Sequence, residues 1–289
     1  MNYTDEQLAK LREVELDLYN KLTQICKKHN LKFVSGFGTT LGAIRHKGFI
    51  PWDDDMDFLM PRRDYEKLVE VIGDELEEKY EFLEPRTTKG YVMSFAKLAR
   101  KDSTFIEAAD EYRSYHRGIF IDIFPMDYWP QDKKKRDRLA FRCYCLLRLC
   151  ALATYSKPKL PAGMSKAKRI VACAGCFLIS GFLKIFRFTT GKLYKKYLHL
   201  AQLTPASESD YYVTDLCWCW PRKDGMIGLQ YKEDDLFTPT KVPFEDTFMV
   251  VPEKYDSYLT IAYRDYMKLP PEDKRHTHVP SELKFPEHI

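Results

Sequence analysis

Apolar residues recur at helical intervals through Leu8, Leu11, Val14, Leu18, Leu22 and Ile25, and Thr4-Asp-Glu-Gln7 just before them has the form of a capping box. The pattern predicts an amphipathic first helix ending near His29 and Asn30. A short strand is expected over residues 31–35, followed by a turn through Gly36-Phe37-Gly38 into a helical segment over residues 39–46. Residues 55–60 alternate as a strand, Pro61 stops them, and Tyr65, Leu68, Val69 and Ile72 mark a helix over residues 62–76. Further strands are expected at 80–84, 92–98, 105–108 and 118–125, the last closed by Pro125.

Beyond residues 127–135 the pattern changes to long helices over 132–155 and 170–183. The second run is almost wholly apolar between Lys166, Lys168 and Arg169 on one side and Lys184 and Arg187 on the other. It is shorter than the roughly 20 residues a membrane-crossing helix needs. A buried core helix and a helix lying on a membrane surface both fit it. After Thr204 the pattern is irregular, with Trp218, Trp220, Pro221, Gly225 and Gly228, then short strands over 237–251 and a last helix opening at Pro252. The expected class is α+β: a mixed β-sheet core with flanking helices over residues 1–130, a mainly helical insertion or lobe over 131–204, and a C-terminal region over 205–289 that packs on the core.

Composition narrows the function classes. The 289 residues are 45% hydrophobic and 30% charged, enough for a sizeable core. A formal charge of +4 is too weak for a general nucleic-acid binder, so no nucleic-acid polymer is expected as a partner, although local basic patches suit anions or a membrane face. The start MNYTDEQLAK lacks a basic region followed by an apolar run, which leads us to expect a cytoplasmic protein. The eight cysteines read mostly as reduced core residues, and the spacing of Cys173 and Cys176 stands without a second such pair. Cys217 and Cys219 with the terminal histidines would make only an incomplete zinc set.

The concentrated chemistry lies between Phe33 and Arg62. Asp53, Asp55 and Asp57 are two residues apart and share a face of any extended segment, while Asp54 points away. Carboxylates so placed repel one another unless a cation compensates, and magnesium, or manganese in its place, takes hard oxygen ligands and bridges phosphates. Asp122, isolated between Ile121 and Ile123, would complete the metal set or accept a proton if its strand neighbours residues 55–60. Gly36 and Gly38 permit close backbone approach, and the helix start at Thr39 and Thr40 offers amides and hydroxyls to an anion. Arg45 is a candidate phosphate clamp, and Lys97 a candidate neutralising cation. His46, Lys47, Trp52, His116, Arg117, Arg275, His276 and His278 are weaker candidates, each equally suited to packing or to an exposed surface.

The stretch GTTLGAIRHKGFIPWDDDMDFLMPRRDYEKL, followed by FAKL at 95–98, RGIFIDIFPMD at 117–127 and the C-terminal VPFEDTFMVVPEKYDSYLTIAYRDYMKLPPEDKR, resembles the LicD family of the nucleotidyltransferase superfamily. The resemblance implies a nucleotidyltransferase-like core. It also implies transfer of a phospho-substituent, phosphocholine foremost, from a CDP-activated donor such as CDP-choline to a cell-surface glycan such as teichoic acid or lipopolysaccharide, or to its lipid-linked precursor, with release of CMP. In that reading Asp55 and Asp57 bind metal, Asp122 is the third carboxylate, and Gly38-Thr39 meets the donor phosphates. A glycan or glycolipid acceptor follows as an expectation, with residues 205–289 shaping its site; peripheral contact with the inner face of the cell membrane, through residues 170–183, is expected if that acceptor is lipid-linked. Asp246 and Arg264 depart from the glycines the family pattern has there. Two other readings are a nucleotidyltransferase that moves a nucleoside monophosphate from a nucleoside triphosphate, and a non-catalytic scaffold that binds glycan or membrane.

Overall fold

The first helix, α1 (Asp5–Lys28), is capped as its sequence predicts: the Thr4 hydroxyl accepts from the Gln7 N–H, and the Gln7 side chain accepts from the Thr4 N–H. Leu11, Val14, Leu18 and Leu22 are fully buried along its inner face. The chain is described here by a computed structural model covering residues 3–107, 113–154, 164–208, 211–213, 229–275 and 277–289. Trp218, Trp220, Pro221, Gly225, Gly228, Cys217, Cys219 and His276 lie outside those residues, as does Ala108.

After α1 come β1 (Val34–Ser35), α2 (Phe37–Arg45), β2 (Asp57–Pro61), α3 (Arg62–Glu75), β3 (Tyr80–Leu83), β4 (Ala96–Arg100), β5 (Thr104–Ile106) and β6 (Phe120–Tyr128). Three helices follow, α4 (Lys133–Thr154), α5 (Lys166–Ile185) and α6 (Thr190–Ala201). The remainder holds β7 (Tyr211–Val213), β8 (Tyr231–Lys232), α7 (Glu233–Leu236), the hairpin β9 (Pro239–Phe244) and β10 (Thr247–Pro252), α8 (Tyr255–Tyr263) and β11 (Glu282–Lys284). The fold is of the α+β class. Its main sheet runs β1-β2-β6-β4-β3, with β7 and β8 continuing from β6, and mixes a parallel β2–β6 pair with antiparallel neighbours.

Several boundaries differ from the sequence pattern for physical reasons. α2 begins two residues early because Gly36, in an extended conformation, serves as its N-cap, so Gly38 lies within the first turn. β2 begins at Asp57, which leaves Asp53 and Asp55 on the extended approach to it. Pro125 does not close β6: it pairs in register with Met60, and β4 reaches only as far as Ile123, so on that flank a missing N–H breaks no ladder bond.

Buried side chains of the described residues gather in two main clusters. One joins α1, the main sheet and the β9–β10 hairpin, and includes Leu18, Phe58, Ile123, Phe244 and Val251. The other lies among α4, α5 and α6, around Cys143, Leu183, Tyr194 and Tyr197, with Trp129 at its edge. No disulfide forms among the described residues. Among them no single helix is long and apolar enough to cross a membrane; α5 and α6 pass that test only together, bent by 96°.

Candidate active site

Strand register assembles the site. Parallel pairing of β2 with β6 sets Asp57 opposite Asp122, and antiparallel pairing of β6 with β4 sets Asp122 opposite Lys97. Three charged residues thus form a row across three adjacent strands, Asp57 to Asp122 to Lys97. The neighbouring strand expected for Asp122 is present. The two-residue alternation also holds upstream of β2: Asp53, Asp55 and Asp57 are half-buried, while Asp54, Met56 and Phe58 are buried.

Backbone contacts fix this stretch. The Asp57 N–H donates to the Thr39 hydroxyl at 2.8 Å, the Gly36 N–H to the Asp57 carbonyl at 2.8 Å, and the Asp122 N–H to the Met56 carbonyl at 2.9 Å. Gly38 matters for a reason the sequence did not show: a β-carbon there would meet the Asp53 carboxylate, so any side chain at this position pushes that carboxylate aside. Phe37 takes φ of 35°, uncommon for a bulky residue, and is held there by the Tyr258 hydroxyl, which accepts its N–H at 2.7 Å. The Arg12 guanidinium donates to the carbonyls of Ile50, Pro51 and Asp53 and so pins the approach to β2.

The C-terminal segment crosses the acidic stretch. Thr277 donates to the Trp52 carbonyl, the His278 N–H donates to Asp54 at 3.0 Å, and the His278 ring lies 3.4 Å from Asp54 and 3.6 Å from Asp55. Pairing of β11 with β5 anchors this segment from its far side. Asp54 is the buried member of the run and also accepts from the Tyr3 hydroxyl, so it acts as a structural acceptor.

The electrostatics show a shortage of positive charge. Burial, followed by the charges of Asp55 and Asp54, pushes the Asp53 carboxyl up to about 7. Burial pushes Asp122 up to about 6 even though Lys97 draws it down. Asp55 is raised by burial, and Asp57 stands well above the usual range through burial and then through Asp55 and Asp122. His278 is lifted to about 9, chiefly by its hydrogen bond with Asp54, so it is cationic at neutral pH. The cations that act on these carboxyls, Arg12, Lys97 and His278, therefore do not compensate them. The Lys97 ammonium is 3.1 Å from the buried Asp122 Oδ1, an ion pair that leaves that oxygen room for a second electropositive partner.

A divalent cation suits this donor set chemically: four carboxylates offer hard oxygen donors, and burial with the neighbouring negative charges raises the proton affinity of all four. Among the described residues no three carboxylate, imidazole or thiol groups are already drawn together around a common point. The side chains would have to converge on an ion.

The other sequence candidates are dispersed. Arg45 donates to the Tyr266 carbonyl at 2.8 Å and to the His46 ring, and is close enough to feel the charge of Asp53. Trp52 is covered by the Arg275 guanidinium at 4.4 Å and edged by His46, which leaves less of it for stacking on a base. His116 binds Glu81 and the Ser103 carbonyl at the sheet edge, away from the carboxylate row. Sequence reasoning missed Glu15, fully buried on α1 and pushed far up by burial and by Asp55, Asp54 and Asp53. Its signal was present, since Glu15 falls between Leu11 and Leu18 on the apolar stripe.

A family model described as "LicD/FKTN/FKRP, nucleotidyltransferase domain" matches residues 30–142, the span that contains the whole carboxylate row. The chain is 27% identical over 271 residues to the lipopolysaccharide cholinephosphotransferase LicD of Haemophilus influenzae, covering 93% of this chain and 95% of that protein. It is also 28% identical over 137 residues to an uncharacterized protein of Rickettsia prowazekii, covering 44% of this chain and 47% of that one.

Proposed function

The chain belongs to the LicD family, and on that premise we propose that it is a metal-dependent phosphotransferase moving phosphocholine, or a related phospho-substituent, from a CDP-activated donor to a hydroxyl of a cell-surface glycan or its lipid-linked precursor. The observation that carries the reading is the row Asp57–Asp122–Lys97 with Asp53 and Asp55 on its approach, inside the segment that matches the family. The similarity to a lipopolysaccharide cholinephosphotransferase extends along nearly the whole chain and supports choline as the substituent.

In this reading the acceptor oxygen forms a bond to the substituent-bearing phosphorus, the bond from that phosphorus to the bridging oxygen breaks, and CMP departs with the electron pair. Asp53, Asp55 and Asp57 would hold magnesium or manganese. Asp122 serves either as a further ligand of the ion or as the base that takes the hydroxyl proton, since a carboxylate bound to the ion loses the proton affinity a base needs. Once bound, the ion neutralises phosphate oxygens. Thr39 fixes the backbone of Asp57, Gly38 admits Asp53, and Arg45 and Lys97 add positive charge around the donor phosphates. The reaction rests on positioning and electrostatics. Residues 1–130 would form the catalytic core, 131–204 a helical lobe, and 205–289 the wall that shapes the acceptor site.

The family model's nucleotidyltransferase description favours one competing reading, transfer of a nucleoside monophosphate from a triphosphate. Purified protein incubated with magnesium, an acceptor glycan and a panel of CDP-linked donors and nucleoside triphosphates separates the two by product mass. Phosphocholine on the glycan with free CMP is expected. Retention of CMP on the product, with pyrophosphate released, would replace the proposed reaction with nucleotidyl transfer.

A further inference from the structure

The α5 helix is packed the opposite way from an ordinary surface helix. Its small or short side, through Ala172, Gly175, Cys176 and Ser180, turns toward the protein, and Ser180 and Leu183 are buried. Its large apolar residues point out: Ile170, Val171, Phe177, Leu178, Phe182 and Ile185 are each more than half exposed, and Leu178 is 71% exposed. The core-helix reading of residues 170–183 therefore holds for only one side of the helix. A contiguous outward face of this kind marks a docking surface.

Charge identifies the occupant. From Arg138 to Ser207 the chain has no aspartate or glutamate but thirteen lysines and arginines, so the rest of this weakly basic protein is net acidic. The cations stand at both ends of the apolar run, Lys166, Lys168 and Arg169 before it and Lys184 and Arg187 after it. A groove of about 870 Å³ between α4 and α6 repeats the chemistry, with Phe141, Leu146 and Leu149 in its walls and Arg142, Lys192 and Lys196 around them. Phe188, just past α5, also lines that groove, so the two features adjoin. Apolar side chains flanked only by cations match the acyl boundary and headgroups of an anionic bilayer. A run of this length spans about 21 Å as a helix, short of the roughly 30 Å hydrocarbon core, so the helix lies along the surface.

We infer that the α4–α6 lobe is a peripheral docking face for anionic membranes, with the outward side of α5 inserted at the headgroup boundary. The inference rests on the lobe's surface alone and is independent of the transfer reaction.

The test is flotation of the full chain with vesicles of phosphatidylcholine, alone or mixed with phosphatidylglycerol, in the absence of any donor. Binding to the mixed vesicles only, released by raised salt, is expected. Lys166→Gln with Lys168→Gln lowers partition about fivefold per charge. Phe177→Ser with Leu178→Ser lowers it about tenfold or more. All four side chains are exposed, so thermal melting stays unchanged, and transfer to a soluble acceptor is unaffected. Absence of flotation, or equal flotation with the neutral vesicles, overturns the inference. So does a dimer that Phe177→Ser with Leu178→Ser dissociates in a protein that ignores vesicles, because the face would then belong to a second copy of the chain.

Discussion

Arg264 ends α8 with φ of 61° and ψ of −108°, on the side of backbone space where a β-carbon is strained and glycine is not. The family pattern has glycine at this position, so the departure was legible as a letter while its conformational cost was not. Arg264→Gly is expected to stabilise the fold by about 1 kcal/mol, the relieved strain exceeding the added freedom of the unfolded chain. A denaturant midpoint that rises with an unchanged slope would show this, and an equal or lower midpoint would refute it. Gly38 and Glu15 mark the limits of reading single residues. The glycine was visible, but its partner Asp53 becomes apparent only once α2 and the approach to β2 are folded together. Glu15 looks like an ordinary helix-surface charge until its place on the apolar stripe is counted, and the stripe does not reveal the carboxylates beyond it.

Among the elements, those set by local periodicity or capping were readable: α1 with its capping box, α3 opening directly after Pro61, and the long helix α4. The alternation of Asp53, Asp55 and Asp57 gave one face of the site. Which strand would lie beside it depends on a parallel pairing across some sixty residues of chain, for which sequence offers no local signal, and that pairing is what joins Asp57 to Asp122. Lys97 likewise acquires its place from β4 register alone. At the other end of the same strands, the Arg62 guanidinium meets the Asp127 carboxylate in two parallel contacts of 2.8 and 2.6 Å and ties the start of α3 to the end of β6. Both groups are buried. Arg62→Ala removes the bidentate partner from a buried carboxylate and should cost about 3–5 kcal/mol. Chemical denaturation measures the loss, and a change under about 1 kcal/mol would show that the pair contributes little.

For the whole molecule, charge is segregated between a basic helical lobe and a carboxylate centre, and the centre couples stability to pH. A carboxyl whose folded pKa is raised stabilises the fold fully below its unfolded pKa of about 4 and loses that contribution as pH rises through the folded value. For Asp122 and Asp53 the loss runs up through about 6 and about 7. A bound divalent cation reverses the sign by favouring the ionised forms. Magnesium should therefore raise the melting temperature of the protein more at pH 8 than at pH 5, as followed by differential scanning calorimetry. An equal shift at both values would detach these carboxylates from cation binding.

Whether the carboxylate row carries a metal-dependent transfer is decided by following choline-labelled CDP-choline into an acceptor glycan with wild-type protein and with Asp57→Asn, each with and without magnesium. Asn keeps the shape of the side chain and the backbone bond to Thr39 while removing the charge. Magnesium-dependent incorporation by the wild type is expected, with a loss of about a hundredfold or more in the folded variant. Incorporation that persists without any divalent cation, or that survives intact in Asp57→Asn, would contradict it.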